Sequence, residues 1–386
     1  MLQILHITHW FPTRGKPHSG SFIYNHCRAT EGDGKAKAHI LFLDLLNGRG
    51  LLPGIKTDRF QTPEGVDVRV IRLTWILSPL VYTYPQLQWI LFHKAIQRAV
   101  RELRPDLIHG HVIHPAGALA GKIARHNNLP LLITEHWSNL EVYVRKRIRS
   151  DWGRKAYQYS SFILPVSDFL KRSICDAYPA VTPEKVVVVP NIVYAEHFTF
   201  HAKPAAAGPV LKFIMVSAWV RYKQATKRPD IVIKALGLFA KNHHKDISLT
   251  VVGDGDMLPE MKTLVAENGI RATFTGFLPS HEIARLMHEH NYFVHASEIE
   301  TFSVVTAEAM MCGLPVVVSD TGALPELVTV DRGVVTGNTI EEWEEAIQKV
   351  TSKTFNCQTI AAEVAEYCSP GRIGHQIYDL YTRCRK

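Results

Sequence analysis

The chain opens on LQILHIT, a short apolar, β-branched run that gives way to the turn-rich stretch WFPTRGKPHSG. A run of this kind predicts a buried parallel strand, then a long loop, then a helix starting near Ser21. Similar runs follow at AHILFLDLL, VDVRVIRL, DLIHGHV, PLLITEH, FILPVS and VVVVPN. Helical patterns fall between them, among them AGALAGKIARHN and FHKAIQRAVREL, which stops before Arg104-Pro105. Strands alternating with helices predict a doubly wound α/β fold.

The pattern dissolves over AEHFTFHAKPAAAGP, which reads as a linker. A second series then begins with LKFIMVS, ISLTVVGDG, ATFTGF, YFVHAS, LPVVVSD and GVVT, with RPDIVIKALGLFAKN and EIARLMHEHN as intervening helices. The predicted organisation is an N-terminal Rossmann-like domain over 1–195, a linker over 196–208 and a second Rossmann-like domain over 209–369. The closing stretch, about 370–386, reads as an amphipathic helix with Ile373, Ile377, Leu380 and Tyr381 on one face, expected to pack back on the first domain. Two such domains facing across a cleft bring the carboxyl ends of their strands, where ligands bind, to that cleft.

Composition narrows the classes. A chain of 386 residues, 46% hydrophobic and 21% charged, has room for two packed cores and excludes disorder and fibrous repeats. No apolar run reaches the roughly 18 residues needed to cross a bilayer. MLQILHITHWFP lacks the layout of a secretory signal, and the six Cys include no CxxC pair, so a cytoplasmic protein with reduced thiols is expected. Charge is uneven: residues 1–208 carry 26 Lys and Arg against 15 Asp and Glu, while the remainder carries 18 against 21. A basic first half points to an anionic partner, or else to a solvated surface with no specific partner.

The most informative stretch is HASEIETFSVVTAEAMMCGLPVVVSD, residues 295–320. It reads as a strand, a loop holding Glu300, a helix from N-cap Ser303 through Met311, a stop at Gly313 and another strand. The backbone N–H groups near Phe302, Ser303 and Val304 then form a diphosphate site at the positive end of a helix. Glu308, about 8 Å further along the axis, is placed to accept from both hydroxyls of a ribose diol. Glu300 lies on the other side, where a transferred sugar would sit. Without that context, both acids read as ordinary surface residues.

Glu300-x7-Glu308, followed by AMMCGLPVV and GALPEL, resembles the signature of retaining glycosyltransferases of the GT-B fold, family 4 (glycosyl transferases group 1). VPN (189–191), TKRPD (226–230), VVGDGDM (251–257) and FTGFLP (274–279) agree with it, and WFP…SGSF and LITEHW match more loosely. The resemblance implies transfer of a hexose-type sugar from a nucleotide-diphosphate donor, with retention and without a divalent metal or other cofactor. It implies a UDP-sugar first, as the family's commonest donor, with a GDP-sugar as the other option.

The resemblance assigns Lys227, with Arg221 as partner, to the donor diphosphate. It also assigns His136 to the sugar near the reaction centre, Gly20 to a loop that reaches toward the donor phosphates and the acceptor, and Gly253 to a turn beside the nucleotide. A leaving diphosphate needs fixed positive groups where charge accumulates. The chain departs from the family where Ser217-Ala218-Trp219 replaces the usual Gly-Arg pair, so Lys223 is an alternative to Arg221. His136 is expected either to donate to a sugar hydroxyl or to take up a proton near pH 7. Gly20-Ser21 reads equally as a plain helix start with a Ser cap. His109-Gly-His111-x2-His114 has metal-like spacing but no acidic or Cys partner in sequence, so no metal is expected there. GDG lacks the third glycine of a dinucleotide fingerprint, Ser167-Asp168 reads as a helix cap, and no GxSxG, Walker A or HExxH occurs.

The acceptor, a saccharide or lipid-linked sugar in glycan or polysaccharide biosynthesis, falls to the basic first domain. VRKRIR (144–149) and the apolar segment 74–94 are candidates for peripheral contact with an anionic leaflet or a lipid tail, although 74–94 reads first as a strand-helix pair inside the core. No nucleic-acid-binding signature accompanies the charge. The alternatives are a nucleotide-sugar epimerase on the same fold and a non-catalytic two-lobe protein that binds a small ligand.

Overall fold

The computed structural model describes all residues except 14, 16–18, 33, 138–139, 141–146, 203–209, 222–226 and 386, and only the backbone of 147–150. Lys223 and the VRKRIR cluster therefore lie outside the described residues or side chains, as does much of the 196–208 stretch. The chain divides into two compact units, Met1–Ile192 with Pro370–Lys386, and Val193–Ser369. Each is a parallel-sheet α/β unit of Rossmann type.

The first unit holds β1 (Leu2–Thr8), β2 (Ala36–Asn47), β3 (Gly54–Gln61), β4 (Asp67–Trp75), β5 (Leu107–His111), β6 (Leu131–Glu135) and β7 (Phe162–Pro165). Their order is β3-β4-β2-β1-β5-β6-β7, parallel except where β3 pairs antiparallel with β4. β1, β5 and β6 are buried almost throughout, which is why they read as apolar runs. VVVVPN is not a strand. Val187 and Val189 donate to Ile163 and Pro165 of β7, yet only one bridge forms, at Val186. Pro165 has no N–H to return, so the ladder cannot extend.

The apolar segment 74–94 finishes β4 and forms the helices Ser78–Thr83 and Pro85–Leu103, so the strand-helix reading holds. Val81 and Phe92 are buried, but Ile76, Leu77, Leu80 and Ile90 are exposed. The last helix, Pro370–Arg383, buries Ile373, Ile377, Leu380 and Tyr381, the face its periodicity predicts, and packs on the Ser21–Ala29 helix.

The second unit holds β8 (Leu211–Val216), β9 (Ile247–Val252), β10 (Arg271–Gly276), β11 (Tyr292–His295), β12 (Val316–Ser319) and β13 (Gly333–Thr336), all parallel, in the order β10-β9-β8-β11-β12-β13. Phe213, Phe239, Trp219 and Trp343 anchor its core. The strand order reverses between β8 and β11, so the loops after these strands diverge and leave a crevice at their carboxyl ends. Lys227 follows β8, and Glu300 and Ser303 follow β11. In the first unit the same reversal falls between β1 and β5.

Candidate functional site

At the switch point of the second sheet, Lys227 is tied to the end of β11 by an antiparallel bridge to Ser297, and Arg228 N–H donates to Ala296 O at 3.1 Å. The Lys227 ammonium forms an ion pair with Glu300 Oε1. His295 Nε2, at the tip of β11, lies 2.7 Å from the same carboxylate oxygen and 3.3 Å from Lys227 Nζ. Burial pushes the Glu300 carboxyl up, but Lys227 and His295 outweigh it and leave it at about 2. Burial lowers the His295 imidazole, Lys227 lowers it further, and Glu300 pulls the other way.

A polar brace fixes the Glu300 loop. Ser297 N–H donates to Ser319 Oγ at 3.0 Å, Ser319 Oγ donates to Asn338 at 2.6 Å, and Ser297 Oγ donates to Ile299 O at 3.0 Å. Ala323 N–H donates to Glu300 O at 3.0 Å from the Gly322 turn. The sequence reading found none of His295, Ser319, Asn338 or Gly322 as supports, because each meets the loop from a separate strand end or turn. The only available signal was GALPEL, noted for the family and not for this contact.

The helix after the loop is Val304–Met311, with Ser303 at its N-cap position and Gly313 at φ 79° beyond its end. Ser303 differs from a conventional cap. It is left-handed, at φ 67° and ψ 76°, and its hydroxyl bonds Thr306 Oγ1 at 2.7 Å and not a helix amide. Thr306 and Ala307 N–H both turn to Ser303 O, while the amides of Val304 and Val305 lie ahead of the helix's own ladder. A non-glycine residue held left-handed at a helix start is a sparsely populated conformation of the kind that clusters at functional sites. Phe302 stacks on Tyr367, with centroids 6.4 Å apart.

Glu308, one and a half turns along, is partly exposed, yet desolvation with no opposing charge raises its carboxyl to about 8.

Arg221 pairs with other acids than Glu300. It is more than half exposed, its guanidinium pairs with Glu260, and its N–H donates to Asp256 at 2.7 Å. Trp219, in place of the family's usual glycine-arginine pair, fills the core beneath the turn at Gly253, and its indole N–H donates to Val252 O at 2.9 Å. Gly253, at φ 113°, passes so near Ser217 O that a Cβ would sit 1.8 Å from it, so the site requires glycine.

In the first unit, Gly20 is itself the N-cap of the Ser21–Ala29 helix, at φ 70°, and Ser21 is the first helical residue; the expected Ser cap is absent. A Cβ on Gly20 would lie 2.2 Å from Trp10 O, so the neighbouring main chain by itself already requires glycine there. Ser167 does cap its helix, accepting from Leu170 N–H at 3.2 Å. His136 follows β6 and is buried, with its ring 4.7 Å from Phe22 and 5.3 Å from His26. Burial, reinforced by His26, drives its pKa well below the usual range against the opposing effect of Asn191. Burial therefore disfavours the protonated form of this imidazole. The structure also brings Cys27 to His111, with Sγ 3.9 Å from Nε2, a partner that sequence spacing hid.

The switch point of the second unit thus brings Lys227, His295 and Glu300 together just ahead of the Val304–Met311 helix. The family model described as Glycosyl transferases group 1 matches residues 200–366, and Glycosyltransferase Family 4 matches 55–197. The yeast phosphatidylinositol N-acetylglucosaminyltransferase GPI3 subunit (Saccharomyces cerevisiae YJM789) is 21% identical over 360 residues, 88% of this chain and 74% of its own. Anabaena Alr3699/HepE in complex with UDP superposes with a TM-score of 0.72 at 18% identity, over 99% of this chain and 100% of that one. The lipopolysaccharide outer core galactosyltransferase WaaB superposes at 0.71 with 14% identity, over 99% of both chains. The chain belongs to the family 4 glycosyltransferases of the GT-B fold.

Proposed function

We propose that the protein transfers a hexose-type sugar, with retention, from a UDP-sugar to a saccharide or lipid-linked acceptor. The observation that carries this is the convergence of Lys227 and Glu300 at the end of β11, next to the Val304–Met311 helix start and Glu308. Lys227 and the amides of Phe302, Ser303 and Val304 hold the diphosphate and stabilise its charge as the bond to the sugar breaks. Those groups supply the positive charge, so the proposed transfer calls on no divalent ion. Glu308 accepts from the ribose diol, Glu300 orients the sugar and His136 donates to a sugar hydroxyl. Arg221 joins the diphosphate only by leaving Glu260. With no covalent nucleophile assigned, the acceptor attacks the face that the diphosphate leaves, and a diphosphate oxygen takes its proton.

UDP is favoured by the resemblance and by the Anabaena protein, whose structure holds UDP. A lipid-linked acceptor is in keeping with the phosphatidylinositol named for the yeast relative. No described helix is long and apolar enough to cross a membrane. Peripheral contact on the cytoplasmic face is proposed from the basic first unit and its exposed Leu51, Leu52, Ile76 and Leu77. The test is a thermal-shift screen of UDP, GDP, ADP and their sugars, then a transfer assay with and without EDTA. A UDP-specific shift with EDTA-resistant transfer is expected; no shift with any nucleotide overturns the reading.

A further inference from the structure

Five imidazoles are buried together in the first unit: His6 on β1, His26 on the Ser21–Ala29 helix, His109 and His111 on β5, and His136. His109 is satisfied at both nitrogens, by Tyr381 OH at 2.6 Å and Thr134 Oγ1 at 2.7 Å. His6 Nδ1 and His111 Nε2 bond each other at 3.0 Å. Their outer nitrogens, His6 Nε2 and His111 Nδ1, have no hydrogen-bond partner among the described residues. Saturation of a polar network thus explains His109 and leaves the other two unexplained. Cys27 Sγ approaches the same His111 Nε2 at 3.9 Å, and the three inward atoms all lie within 4.8 Å of one another. His6, Cys27 and His111 are each no more than 1% exposed.

We propose that His6 Nδ1, His111 Nε2 and Cys27 Sγ form a buried site for one thiophilic closed-shell metal ion, zinc(II) or copper(I). The 3.0 Å between the two nitrogens and the 3.9 Å from His111 Nε2 to the sulfur are close to the edges formed when two nitrogens at about 2.0 Å and a sulfur at about 2.3 Å surround one ion, and a small side-chain shift completes the third edge. The donor set is soft, with two imidazoles and a thiol and no carboxylate among the three, which excludes magnesium and calcium. Binding deprotonates Cys27 and releases that proton. The proton shared between the two rings moves to an outer nitrogen, so both lone pairs face the ion. Neither outer N–H meets a carboxylate or carbonyl that would stiffen the ring, so the ion exchanges and a strong chelator removes it. The site is independent of the diphosphate proposal, whose residues Lys227 and Ser303 belong to the second unit.

The test uses the full chain, stripped with chelator under reducing conditions. It is reloaded in separate arms with zinc(II), with copper(I) buffered by a competing ligand, and with cobalt(II) as a spectroscopic probe. One ion per chain in the zinc or copper arm and a thiolate-to-cobalt charge-transfer band are expected, with Cys27→Ala losing both and Cys175→Ala losing neither. The arm that saturates at the lower free concentration identifies the ion. Exposed histidines elsewhere, such as the stacked pair His201 and His288, are ruled in or out by the same variant, so Cys27 dependence is the deciding result. Occupancy unchanged in Cys27→Ala overturns the proposal, as does a wild-type chain that retains no ion. Should Cys27→Ala fail to fold, absence of the cobalt–thiolate band in the wild type overturns it alone.

Discussion

Lys227 and Glu300 neutralise each other, and His295 grips the same carboxylate oxygen at 2.7 Å. A diphosphate that engages Lys227 must therefore draw it away from Glu300, leaving His295 to hold the carboxylate for a sugar hydroxyl. Removing the Glu300 charge separates the two steps. Glu300→Gln is expected to tighten binding of UDP alone by about tenfold, or about 1.4 kcal/mol, because Lys227 no longer has a rival partner. The same variant should lose transfer by about two orders of magnitude or more, since the sugar loses its orienting acid. Calorimetry and an initial-rate assay on one preparation check both halves. Weaker UDP binding in the variant would show that the pair does not compete with phosphate.

Glu308 titrates opposite to Glu300, and this gives donor binding a pH dependence. Desolvation raises its carboxyl from 4.5 to about 8, so near neutrality much of it carries a proton. A ribose diol donates two hydrogen bonds, which only the ionised form accepts fully. Nucleotide affinity should rise with pH up to about 8 and then level off, while Glu308→Gln should bind more weakly with a flatter profile. Stability moves the other way. Between 4.5 and about 8 the unfolded chain has released this proton and the folded chain has not, so stability falls as pH rises across that window. The melting temperature of Glu308→Gln relative to wild type should therefore climb across the same interval.

Ser303 tests whether backbone or side chain cradles the diphosphate. Its hydroxyl is occupied by Thr306 at 2.7 Å, and its left-handed backbone aims the helix start. Ser303→Ala keeps the strained conformation and loses the hydroxyl bond, so it should destabilise by about 1 kcal/mol. Ser303→Gly loses the same bond but relieves the left-handed backbone, worth about 1–2 kcal/mol, and should melt close to wild type. Both should bind UDP within a few-fold of wild type, since the amides remain. A large loss of affinity in both variants would transfer the role to the hydroxyl.

Much of this was legible because buried parallel strands are written as apolar runs, and β1, β5, β6 and β12 follow that rule. β3 was missed because all eight of its residues are exposed and its edge position demands no apolar face. VVVVPN misled for the opposite reason: Val186 and Val189 are buried, but Pro165 stops the ladder. Glu300 and Glu308, read together with their strand, loop, helix and glycine stop, fall at the switch point of the second sheet, whereas the low titration of Glu300 depends on Lys227, which is 73 residues from it in sequence. The approach of Cys27 to His111 spans 84 residues and leaves no local trace.

The exposed leucines of the first unit give the peripheral-membrane reading a direct test. Leu51 and Leu52 are each 84% exposed, beside the Trp75 indole that donates to Leu51 O at 2.8 Å. Apolar side chains this open contribute nothing to the core, so replacing them should leave the melting temperature within about a degree or two. Inserted among headgroups they would supply apolar burial, while the excess positive charge of residues 1–208 adds attraction to anionic lipid. The wild type should float with vesicles rich in anionic lipid and detach at high salt, where surface charges are screened. Leu51→Asp with Leu52→Asp should abolish flotation while transfer to a water-soluble acceptor stays near wild type. Equal flotation with neutral vesicles, or none at all, would remove membrane contact from the proposed function and leave the sugar-transfer reading intact.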